Sequence, residues 1–242
     1  VLMIVGCSAL ASPIIISKST IHKDIPFAIL ATSSLIVVSL DVVLDGGQFE
    51  NLISRTDGLM LLGFFAVFMF YTFSIARNKD GAGEQPQALQ IAPMSYGRIF
   101  LYVILGLAGL VFGGNLFVDA ATEIALSMGV SETVVGLTLV AAGTSLPELA
   151  TSIVAAKKGS SAIAIGNVVG SNIFNIFFVM GFCATVSPMP VGSISYFDLG
   201  LMLLSILILW CFSYTKRTIE RWEGGVMVAV YLVYLAYLIH QA

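Results

Sequence analysis

Glu148 is the residue to which chemistry is most readily assigned. Its nearest charged neighbours along the chain are Glu132 and Lys157, near the two ends of one apolar run. A carboxylate so deep in an apolar segment costs several kcal/mol unless it meets a cation, a proton or water. A protonated, hydrogen-bonded structural acid is the alternative. The surrounding residues, Ala141-Ala142-Gly143-Thr144-Ser145-Leu146-Pro147-Glu148, favour the cation. Proline donates no backbone hydrogen bond and crowds the carbonyl four residues back, at Gly143, whose freedom allows a break. A discontinuous helix is expected, with the carbonyls of Ala141 to Thr144 closing its first piece and Glu148 opening the second. Freed carbonyls, the Thr144 and Ser145 hydroxyls and one carboxylate make an all-oxygen set, which hard cations such as calcium and sodium prefer. A proline kink for packing alone would need no acid beside it.

The following apolar run carries Gly166-Asn167-Val168-Val169-Gly170-Ser171-Asn172-Ile173-Phe174-Asn175. Ser171 and Asn175 are four apart, share a helix face and are candidates to turn oxygens toward Glu148. Gly166 with Gly170, and Gly109 with Gly113, have the spacing that lets helices pack closely, and packing is the expectation for both pairs. Cys7, Cys183 and Cys211 lack the spacing for a disulfide or zinc site and are expected to pack as small hydrophobes. His22 and His240 lie at segment ends, as interfacial residues do. No H-E-x-x-H or G-x-S-x-G is present and Ser145 has no histidine partner, so an enzyme is not expected.

These residues need elements that hold them in lipid. Of 242 residues 58% are hydrophobic and 10% charged, whereas a soluble domain carries about 25% charged residues. Apolar runs of roughly 20 residues recur, each long enough to cross a bilayer core. Runs without strand-like alternation must be helices, because lipid offers the backbone no hydrogen bonds. Eight spans are expected, at 1–12, 24–45, 57–77, 98–118, 133–156, 160–186, 197–215 and 223–240, with 78–97 as a polar linker. The first run is already apolar at Val1, with no basic segment ahead of it. It reads as a chain whose beginning is absent rather than as a signal peptide. A net charge of −3 without a basic patch interleaved with aromatics gives nucleic-acid binding no support.

Loop charges alternate. Lys18, Lys23, Arg77, Lys79, Arg98, Lys157, Lys158, Lys216, Arg217 and Arg221 fall in alternate connections, with Arg55 alone opposite. The crowded side, including the linker, is expected to be cytoplasmic and the C-terminus extracytoplasmic. Asp41, Asp45, Glu50, Asp119, Glu123 and Asp198 fall at or beyond the opposite face. The halves also repeat. Gly6 to Pro13 reads against Gly181 to Pro188 at an offset of 175, and Ile53, Arg55, Gly58, Val67 and Tyr71 match Ile219, Arg221, Gly224, Val233 and Tyr237 at an offset of 166. The charge count puts Arg55 and Arg221 on opposite sides, so the repeats are inverted, as in many secondary transporters. The expected units are 1–77, a partial first repeat; the linker 78–97; and 98–242, a second repeat with its motif at 136–175.

At G-T-S-L-P-E-L followed by G-N-V-V-G-S-N-I-F-N the sequence resembles the second alpha repeat of the cation/calcium exchanger family, on its sodium/calcium branch, with the bacterial exchangers the nearest likeness. The resemblance covers 98–240 and, more briefly, 1–77. It implies an all-α, polytopic, inverted-repeat sodium/calcium exchanger fold with about eight of the family's ten transmembrane helices, in a bacterial inner membrane. It further implies that Glu148 is one of two acids shared by calcium and sodium, that Ala141 and Thr144 offer carbonyls, and that Thr144, Ser145 and Ser171 complete sodium sites. Asn175 falls where some members carry aspartate, which lowers the site's negative charge. The partner acid of the first repeat is expected upstream of Val1, so this chain alone is expected to transport poorly. The function expected is sodium-for-calcium antiport by alternating access, with transported ions and lipid as partners and no cofactor. A proton-coupled divalent antiporter and a non-transporting scaffold remain as alternatives.

Overall fold

Helices carry the backbone through lipid, and the computed structural model is built from them. It describes residues 1–45, 51–77, 94–130, 132–136, 138, 141–192 and 194–241. The helices are α1 (Leu2–Ala11), α2 (Ile25–Val38, preceded by a π-helical turn at Thr20–Asp24), α3 (Asp41–Asp45), α4 (Arg55–Arg77), α5 (Tyr96–Ser127), α6 (Glu132–Val135), α7 (Ala141–Thr144), α8 (Leu146–Lys157), α9 (Ser161–Ile173, followed by a π-helical stretch at Phe174–Met180), α10 (Gly181–Val186), α11 (Tyr196–Lys216) and α12 (Arg221–Gln241). Four two-residue strands, β1 (Ile14–Ile15), β2 (Leu52–Ile53), β3 (Met189–Pro190) and β4 (Thr218–Ile219), leave the protein all-α in character.

Six described segments are long and apolar enough to cross a membrane: Thr20–Val38, Arg55–Ile75, Tyr96–Ser127, Ser161–Val186, Tyr196–Lys216 and Arg221–Gln241. The other two expected spans are the short α1 and the stretch at 133–156, whose described residues include α6, α7 and α8 with a break at Ser145 between the last two. The span expected at 98–118 continues to Ser127, because Asp119 and Glu123 extend the helix instead of ending it. Its 32 residues reach about 48 Å at 1.5 Å per residue, longer than the bilayer core. Residues 78–93 of the expected linker and Glu50 lie outside the described residues, as do 137, 139 and 140 of the expected motif, and Tyr96 already belongs to α5.

The strands join the two halves. β1 pairs antiparallel with β4, Ile14 opposite Ile219 and Ile15 opposite Thr218; β2 pairs with β3, Ile53 opposite Met189 and Leu52 opposite Pro190. The sequence offsets of 175 and 166 turn the first set of pairs into the second. They also convert the bond from the Ile16 N–H to the Arg217 carbonyl (2.7 Å) into that from the Val191 N–H to the Asn51 carbonyl (3.0 Å). Helix starts obey the same rule: Asp57 Oδ2 accepts from the Ser54 N–H, and Glu223 Oε2 from the Glu220 N–H, both at 2.8 Å.

Glycines bring the helix backbones together in the same reciprocal way. A Cβ on Gly6 would stand 2.8 Å from the Gly224 carbonyl, and one on Gly224 the same distance from the Gly6 carbonyl. At the counterpart crossing, a Cβ on Gly58 would stand 2.7 Å from the Gly181 carbonyl and one on Gly181 3.1 Å from the Gly58 carbonyl. So α1 packs on α12 as α10 packs on α4. α1 runs toward the β1–β4 end and α10 toward the β2–β3 end, so the two halves run oppositely.

The core lies along α1, α2, α9 and the middle of α11, with Val5, Ala9, Ile25, Ala31, Ile173 and Leu209 all at or below 1% exposure. α5 buries none of its residues and makes its contacts chiefly with α6, α7 and α8. The glycine pairs expected to pack make no close helix contact among the described residues. An added Cβ at Gly109, Gly113, Gly166 or Gly170 meets nothing within 4 Å among the described residues, and Gly109 and Gly113 face Leu146, Leu149, Ala150 and Ile153 of α8 across a cavity. Likewise Cys183 and Cys211 are exposed and Cys7 is half-buried, all as free thiols, since the first two sit on the outer surface of the bundle.

Candidate functional site

The break expected around Pro147 falls at Ser145. α7 ends at Thr144, the Ser145 N–H turns back to the Ala142 carbonyl (3.0 Å), and α8 starts at Leu146 with Pro147 in its first turn. Proline suits that position, where a helix has no partner for its N–H groups. The Ala142 carbonyl is therefore occupied, and the Ser145 carbonyl accepts from the Leu149 N–H at 2.9 Å. Gly143 is buried, and any Cβ there would run into Val118 of α5. Its glycine thus answers to a neighbouring helix as well as to the flexibility expected from sequence.

Glu148 stands in the first turn of α8, where the helix dipole favours negative charge. The residue is half-buried, and its Oε2 is shielded from solvent without a hydrogen-bond partner among the described residues. Leaving such an oxygen unpaired costs about 1–3 kcal/mol, more when it is charged, so the position calls for a proton or a cation.

The remaining candidates are distributed around this turn. Ala141 opens α7 and Thr144 closes it, the latter exposed. Ser145 is half-buried and, with Ala142, borders a cavity of about 440 Å³ whose other wall includes Asp198, Ser205 and Tyr234. Asp198 is engaged there by the Tyr234 hydroxyl (2.8 Å) and by the Ser195 N–H (3.0 Å) and hydroxyl (2.9 Å). Ser171 is half-buried on α9, and its hydroxyl donates to its own helix at the Val168 carbonyl (3.0 Å). Asn175 is exposed and lies in the π-helical stretch, so its direction follows the wider turn and not the four-residue spacing from Ser171.

The side chain that joins α9 to the Glu148 turn was not among those singled out from sequence. Asn167 Nδ2 donates to the Glu148 carbonyl at 3.1 Å and to Ser152 Oγ at 3.0 Å. Its signal was present, since Asn167, Ser171 and Asn175 recur every four residues, but the glycine pattern around it drew attention to packing.

Comparison with known proteins agrees with this architecture. The family model described as sodium/calcium exchanger protein matches residues 1–74 and 98–240. The Escherichia coli (strain K12) inner membrane protein YrbG is 32% identical over 98% of this chain and 73% of its own length. The sodium/calcium exchanger MaX1 of Methanosarcina acetivorans is 44% identical over 60% of this chain and 42% of its own. Among solved structures, the sodium-calcium exchanger NCX_Mj soaked with 10 mM Na+ and zero Ca2+ superposes with a TM-score of 0.74 at 32% identity, covering 97% of this chain and 71% of that one. An integral membrane bundle of inverted halves, a helix broken beside a half-buried acid and a family match along most of its length together make this chain a member of the sodium/calcium exchanger protein family.

Proposed function

We propose that this chain works in secondary antiport, exchanging sodium for calcium by alternating access, with Glu148 as the acid both ions compete for. The observation that carries the reading is the buried, unpartnered Glu148 Oε2 at a helix break. Thr144, Ser145, Ala141, Ser171 and Asn175 are proposed as the surrounding oxygen donors. Family membership and the likeness to solved sodium-calcium exchangers support it. Calcium takes 6–8 oxygens, often from more than one carboxylate, so a second acid is proposed to complete the shell. Lys18, Lys157, Lys158, Lys216 and Arg217 gather near the β1–β4 end, which we assign to the cytoplasm.

The test is sodium-gradient-driven radiocalcium uptake into proteoliposomes. It is run on the chain alone and on a chain extended ahead of Val1 by a first-repeat motif, each beside its Glu148→Gln variant. Uptake that requires an outward sodium gradient and falls to background in the variant is expected. Uptake that follows a proton gradient without sodium would favour proton coupling. A folded, extended protein that moves no calcium, or one indifferent to Glu148→Gln, would overturn the reading.

A further inference from the structure

We propose that Asn167 is a positioning residue that fixes the Glu148 turn against α9 through the backbone, leaving the carboxylate free for an ion. This rests on the reading of Glu148 as a cation-binding acid. Both hydrogens of the Asn167 amide are used on α8, one at the Glu148 carbonyl (3.1 Å) and one at Ser152 Oγ, a full turn later (3.0 Å). A carbonyl only accepts, so the opposite amide orientation would set Oδ1 against it and lose the bond. The amide is therefore held one way round. Ser152, 0% exposed, returns its own hydrogen to the Ala164 carbonyl of α9 (3.4 Å), closing a loop from α9 to α8 and back.

The tether lies where α8 lacks a local one. Ser145 provides no side-chain cap, so the first turn misses the hydrogen bond that usually fixes a helix start. Neighbouring polar groups do not substitute: Ser171 and Asn172 spend their described bonds on the Val168 carbonyl of α9 itself (3.0 and 2.8 Å). Asn167 holds the Glu148 main chain while Glu148 Oε2 keeps no partner among the described residues. A ligand mounted this way meets its ion without first being reoriented, which raises affinity by lowering the ordering cost.

The experiment is thermal unfolding in detergent of the purified chain extended ahead of Val1 by the first-repeat motif, titrated with calcium chloride and separately with sodium chloride, for the wild-type sequence, Glu148→Gln, Asn167→Leu and Ser152→Ala. The wild-type midpoint rises with the ion, and Glu148→Gln abolishes the rise. Leucine keeps the branched outline of asparagine, is somewhat larger, and has no hydrogen-bonding group. Asn167→Leu loses both bonds to α8 and is expected to lower the ion-free midpoint while raising the half-saturating ion concentration roughly three- to tenfold. Ser152→Ala moves it the same way by less, and decides the matter if Asn167→Leu does not fold. An unchanged half-saturating concentration, even with a lower ion-free midpoint, overturns the positioning role and leaves Asn167 as a clamp between helices. A wild-type chain that responds to neither salt overturns the cation reading of Glu148 itself.

Discussion

Gly143 is held to glycine by Val118, which occupies the space its Cβ would need. Gly143→Ala is expected to lower stability by about 1–3 kcal/mol, the usual cost of overpacking. Val118→Ala added to it should recover most of that in a detergent melting experiment. A double variant no better than the single one would exclude this contact as the cause. The partner was not legible in the sequence, because Val118 lies on another helix and nothing local marks it. Glu148 was legible for the opposite reason: its isolation between Glu132 and Lys157 is a property of the chain itself. Asn175→Asp is argued from charge count. A second carboxylate should tighten calcium more than sodium, read as a fall of the half-saturating calcium concentration relative to that of sodium. Equal shifts for both ions would count against Asn175 as a ligand.

At the scale of helices, glycine spacing proved a poor guide to helix contact. Among the described residues the G-x-x-x-G pairs at Gly166/Gly170 and Gly109/Gly113 meet no close neighbour, whereas Gly6, Gly58, Gly181 and Gly224, which form no such pair, bring backbones together. The contrast is measurable. Gly224→Ala and Gly58→Ala should each destabilise by about 1–3 kcal/mol, while Gly166→Ala should be neutral or stabilise by about 0.5–1 kcal/mol through helix propensity. A Gly166→Ala variant as damaged as Gly224→Ala would mean that another surface covers Gly166. Where a helix crosses its neighbour depends on the fold, so spacing within one helix cannot reveal it. Phe174, Phe178 and Phe182, four residues apart, stack at 4.9 and 6.2 Å from the π-helical stretch into α10. The broken helix was anticipated because proline and glycine write their constraints into the local chain.

Among the described residues, the halves are held by joints between 1–77 and 94–241. Segments 1–77 and 94–242 expressed as separate polypeptides are therefore expected to copurify in detergent through a tag on one of them. Independent elution would show that the continuous chain, not the joints, keeps them together. The repeat offsets were visible in a handful of matched residues; that they also interconvert hydrogen bonds and strand registers required coordinates, because pairing partners lie far apart in the chain. Those same joints set an order of events at the ribosome. β2 can find β3 once residue 190 has been made, but β1 waits for β4, and α1 for α12, until synthesis has nearly reached the last described residue. Two joints equivalent in space are thus completed at different times. Until the second closes, the nascent protein carries an unpaired strand edge and an uncovered glycine face, the features that membrane quality control has longest to find.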